Sequence, residues 1–91
     1  MSNIKELVTY KRLDRELKKL ERLHNKALKS AETYDEVKLA KYTEAYNKQE
    51  KKFLESDLYN NKLEDALKTA VHECVNVFNK HITKVNELVK N

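Results

Sequence analysis

"ESDLYNN", residues 55 to 61, decides the fold, because it interrupts an otherwise continuous helical pattern. Ser56, Asp57, Asn60 and Asn61 favour caps and turns, since their short polar side chains compete for nearby backbone groups. Against a break stands one heptad register. It runs through Leu39, Tyr42, Tyr46, Gln49, Phe53, Ser56, Asn60, Leu63, Leu67, Ala70, Cys74, Val77, His81 and Leu88, with Lys84 filling a gap. A continuous helix from about residue 34 to 90 would span roughly 85 Å and would need a partner chain along its length. The polar residues cluster at the middle of that register, so the break is preferred. The expected fold is all-α: an antiparallel three-helix bundle or helical hairpin with coiled-coil-like packing, dimeric or of higher order. Residues 1–91 form one helical domain, with helices over about 3–30, 34–55 and 57–90.

Composition supports that reading. The chain has 91 residues, short even for a single domain, so it buries one modest core and a second copy would enlarge it. It contains no Gly and no Pro. Tight hairpins and phosphate-cradling loops lean on glycine, which argues against an all-β fold or a nucleotide-binding loop. Charged residues make up 37% and hydrophobic residues 40%, a balance for solvated helices and not for a disordered chain. A lone cysteine makes no internal disulfide, and no apolar run reaches the roughly 18 residues of a membrane span. A cytoplasmic location is expected.

The first helix carries the uneven charge. Leu13, Leu17, Leu20, Leu23, Ala27, Leu28 and Ala31 fall within roughly 140° of arc at about 100° per residue. Lys11, Arg15, Lys18, Arg22, Lys26 and Lys29 stack on the opposite face, flanked by Arg12 and Lys19. Residues 1–30 hold nine cations and four acids, net +5; residues 31–55 hold five and six, net −1; residues 56–91 hold five of each. All three arginines lie between positions 12 and 22. The excess belongs to one helix face and is a candidate footprint for phosphate or an acidic protein surface. The plainer alternative is the solvated side that any amphipathic helix needs.

Ser2 or Asn3 is the expected cap of the first helix, and Thr33 with Glu36 has capping-box spacing at the start of the second. Tyr42, Tyr46 and Phe53 form a narrow aromatic stripe there. It serves either as an interface or as cover for a thin helix seam. Leu63, Leu67, Ala70, Val71, Cys74, Val75, Phe78, Ile82, Val85 and Val89 make a wider face. That breadth marks the last helix as the expected core element, packed against two neighbours.

Little points to chemistry. On a helix His72 and Cys74 point about 200° apart and cannot share an ion, and no HExxH or paired CxxC is present. Cys74 and His81 are separated by two turns, about 10 Å, too far for proton transfer. They read as a core cysteine and a satisfied core histidine. His24 also lies on the apolar side of its helix, so a site joining His24, His81 and Cys74 depends on packing alone. No enzyme activity, cofactor, metal or small-molecule substrate is expected.

The size, the helical pattern and the lysine-rich, glycine-free composition resemble in style small phage or mobile-element proteins that bind and inhibit or redirect host factors; no motif carries the resemblance. The expected function is a small non-catalytic binding protein, a regulator or inhibitor that occludes a macromolecule through the basic face, with self-association. The alternatives are an RNA- or DNA-binding module (RNA more than DNA) contacting backbone phosphates, or a structural coiled-coil assembly protein.

Overall fold

The computed structural model describes residues 2–90, with side chains from Ile4 to Lys90. It contains α1 (Ser2–Glu32), α2 (Glu36–Leu54), a single π-helical turn (Leu58–Lys62) and α3 (Asp65–Lys90), with no strand among the described residues. The molecule is a rod of 53 × 18 × 17 Å. Contacts fix the direction of each helix. Glu16 meets Gln49 and Lys26 meets Tyr42, so α1 and α2 run antiparallel. His24 meets His81, and residues 6 and 9 lie by 64 and 67, so α3 returns parallel to α1. The fold is an up-down-up three-helix bundle.

The break at residues 55–61 is real, and its polar side chains explain it. Ser56 Oγ donates to the Phe53 carbonyl (2.6 Å) and accepts from the Tyr59 amide (3.2 Å). Asn60 Nδ2 donates to the carbonyls of Leu54 and Ser56, both at 2.9 Å, and Asn61 donates to Asp57 (2.7 Å). These side chains take over backbone partners that a continuing α-helix would use. Leu58 is buried and the Phe53 and Tyr59 rings lie 5.3 Å apart, so the turn also plugs that end of the core. A third helix beginning at 57 is therefore not observed. Residues 58–62 wind as the π turn, Leu63 is extended (φ −100°, ψ 135°), and α3 starts at Asp65. A continuous helix over 34–90 is excluded.

The first turn also differs in detail from the capping box. Thr33 Oγ1 donates backward to the Ser30 carbonyl (3.1 Å), and Asp35 is the cap, its carboxylate accepting from the Lys38 amide at 3.0 Å. The amides of Tyr34 and Asp35 bond back to the carbonyls of Ala31 and Ser30, each at 3.0 Å, which is a Schellman closure. It needs a left-handed residue, and without glycine Tyr34 takes that role at φ 53°. Capping of α1 by Ser2 or Asn3 lies outside the described side chains.

The core runs between all three helices: Leu13, Leu20, Ala27, Leu39, Tyr46, Phe53, Leu58, Val71, Val75 and Ile82 are all buried. Truncating a fully buried member such as Leu20 to alanine should cost about 2–5 kcal/mol. The central element is α1 and not the last helix. It packs along both neighbours, while α2 and α3 touch each other far less. Of the wide apolar face of α3, Val71, Val75 and Ile82 are buried, Ala70 is exposed and the remaining members are partly covered.

Candidate anion-binding face

The apolar arc of α1 points into the bundle, and that burial fixes where the cations go. Lys11, Arg12, Arg15, Lys18, Lys19, Arg22, Lys26 and Lys29 are all exposed. Two of them are engaged locally: Lys18 with Asp14 at 2.9 Å and Lys19 with Glu16 at 2.8 Å. The hydrogen bond and charge of Asp14 hold the Lys18 ammonium above its ordinary value. Such exposed pairs contribute little to stability, because water screens both partners. Arg12, Arg15 and Arg22 have no ion-pair partner among the described residues. Their planar guanidinium donors are thus open to carboxylate or phosphate oxygens.

Packing extends this face beyond α1. The antiparallel return of α2 sets Lys26 over the Tyr42 ring, 5.5 Å from its centroid, with Lys41 at 5.6 Å. Lys26, Lys29, Lys38 and Tyr42, with Ser30 and Thr33, line an open cleft of about 290 Å³ at the α1–α2 turn. Lys26 and Lys29 also line a shallower groove along α1 with Lys18, Glu21, Arg22 and Asn25. The basic surface is therefore continuous from the middle of α1 to the first turns of α2. Sequence reasoning missed Lys38 and Lys41, since α2 as a segment carries a slight acidic excess. The short 33–35 connection was the available signal, because it forces the last turns of α1 beside the first turns of α2.

The aromatic stripe divides. Tyr46 and Phe53 are fully buried, so they are core residues and not interface aromatics. Tyr46 meets Phe78 of α3 edge-on at 6.4 Å, and Phe53 meets Tyr59 of the π turn. Tyr42, one turn before Tyr46, is only partly covered and is the one of the three that joins the basic surface. The Tyr46 hydroxyl and Glu50 Oε2 are buried without a hydrogen-bond partner. Burial, and then the nearby Glu50 carboxylate, push the Tyr46 phenol well above its ordinary value.

Cys74 is partly buried, and burial followed by the charge of Glu21 pushes its thiol up, which disfavours the nucleophilic thiolate. No three His, Cys, Asp or Glu side chains gather as a metal-binding group among the described residues. One of the two histidines expected on apolar faces departs from expectation. His24 is the buried one at 7% exposure, whereas His81 is exposed and is not a core histidine. Packing brings the two together, His24 Nε2 lying 2.9 Å from His81 Nδ1, and leaves Cys74 and His72 apart from them. No helix is long and apolar enough to cross a membrane among the described residues. Comparison of the chain with known protein families, curated proteins and solved structures returned no match.

Proposed function

We propose that this chain is a small non-catalytic binding protein of the cytoplasm that regulates or inhibits an acidic macromolecule by occluding its surface. The observation that carries the reading is the contiguous cationic face. Eight exposed side chains of α1 are joined across the α1–α2 seam by Lys38 and Lys41, and the three arginines have no carboxylate partner among the described residues. Rigid presentation on a packed helix lowers the ordering entropy of docking. Complementary charge mainly accelerates association and selects partners. An acidic protein surface is the favoured partner, because Asp14, Glu16 and Glu21 interleave with the cations and suit a mixed, patterned counterpart. RNA is the second reading, favoured by Tyr42 between two lysines, a place where a base could stack beside a phosphate.

The test is capture of partners from a native lysate, with and without nuclease, by the wild type and by an Arg12→Gln, Arg15→Gln, Arg22→Gln variant. Glutamine preserves helix propensity and leaves the apolar arc intact, so the variant should fold. A nuclease-resistant protein partner lost by the variant supports the first reading. A nuclease-sensitive partner, with a log–log salt slope lowered by roughly 2–3 in the variant, favours the second. Binding unchanged by the triple substitution at low and physiological salt refutes both. Self-association belongs to the same proposal. It rests on Ile4, Leu7 and Val8, exposed at helical spacing on the first turns of α1. Sedimentation should give a mass above one chain, and a monomer at micromolar concentration would remove that part alone.

A further inference from the structure

The meeting of His24 and His81 has no part in the basic face, which lies on the other side of α1. The two imidazoles come from residues 57 positions apart, with His24 Nε2 and His81 Nδ1 separated by 2.9 Å. Two nitrogens bound at about 2.0–2.1 Å to one ion, with a right angle at the ion, are themselves about 2.9 Å apart. That is the spacing of neighbouring positions in a tetragonal or octahedral site, the geometry of nickel and copper.

The surroundings hold one ring and free the other. The His24 Nδ1–H donates to Asn25 Oδ1 at 2.9 Å, which leaves Nε2 with its lone pair directed at α3. A ligating histidine commonly has its second nitrogen held by such an oxygen acceptor. Phe78 packs against the His24 ring with centroids 4.7 Å apart, limiting its rotation. His81 is exposed and its Nε2 has no hydrogen-bond partner among the described residues, so its ring can pivot.

We propose that His24 and His81 form a two-imidazole site for a divalent transition-metal ion of the nickel–copper class, completed by water. In the metal-free protein His81 Nδ1–H donates to His24 Nε2. When an ion binds, that proton moves to the exposed Nε2 of His81, a change of tautomer with no change in net charge. The ion then lies about 1.4 Å to one side of the line joining the two nitrogens, so both rings turn out of their shared hydrogen bond to aim at it, the exposed His81 more freely than the packed His24. The site clamps α1 to α3, so metal binding stabilises the bundle by mass action.

The experiment is calorimetric titration of untagged protein with Ni²⁺ at neutral pH, paired with thermal unfolding in Ni²⁺ and in EDTA. The expected result is one saturable binding event and a higher unfolding midpoint with Ni²⁺. His81→Gln changes an exposed residue, should leave the fold intact by circular dichroism, and should abolish both effects. Asn25→Ala should weaken binding by about 10- to 100-fold through loss of the orienting acceptor. His72→Gln, which changes the exposed third histidine, should alter nothing. Binding that survives His81→Gln, that disappears with His72→Gln, or that is absent from the folded wild type overturns the proposal.

Discussion

Tyr46→Phe should make this protein more stable. The ring is fully buried, and its hydroxyl faces the Glu50 carboxylate close enough to feel it but without a hydrogen bond of good geometry, so that it and Glu50 Oε2 are both left unsatisfied. A buried polar group left unmatched costs about 1–3 kcal/mol. Phenylalanine keeps the ring and its edge contact with Phe78 while removing the stranded oxygen. Part of the gain is offset, because a phenol dipole beside a carboxylate is weakly favourable, so the net expectation is about 1 kcal/mol. For a chain of this size that is about 4–8 °C in the unfolding midpoint, followed by far-UV circular dichroism. The variant should also differ in alkali. The folded phenol titrates above its ordinary value of 10.0, so above that pH the unfolded chain releases a proton that the folded chain keeps. Stability from Tyr46 is thus fully present below about pH 10 and is lost as pH rises toward the folded value. Cys74, also pushed up from its ordinary 9.0, adds to the same slope from a lower pH. Tyr46→Phe should remove the phenol's share and flatten the alkaline limb. A variant destabilised by about 1 kcal/mol or more would show that the hydroxyl is well paired, and an unchanged alkaline limb would show that the phenol titrates at its ordinary value; either result would refute the reasoning.

Two further expectations concern the first turn. Tyr34→Gly should stabilise by about 0.5 kcal/mol, because relief of the left-handed conformation outweighs the added freedom of the unfolded chain, and the tyrosine, 74% exposed, loses little packing. A lower urea midpoint would refute this. Asp35→Ala should cost about 1 kcal/mol by leaving the Lys38 amide without its carboxylate, read in the same denaturation, and an unaffected midpoint would mean the cap is idle.

What the sequence determined alone was local. The spacing of Leu13, Leu17, Leu20 and Ala27 specifies a helix and its inward face, which in turn sends every cation of the Lys11–Lys29 stripe to solvent. The cluster of Ser56, Asp57, Asn60 and Asn61 likewise breaks the chain, because each of its hydrogen bonds spans six residues or fewer. The tertiary structure decided which apolar stripes are covered. Tyr42 and Tyr46 share one face of α2, yet only Tyr46 is sealed, since α1 and α3 close over the middle of the seam and leave its end open. The joining of Lys38 to the basic face and of His24 to His81 was equally beyond reach of periodicity. A helical repeat tells which residues point the same way, but not which neighbour lies opposite; that depends on the register in which three helices pack, and the register is set by the whole core at once.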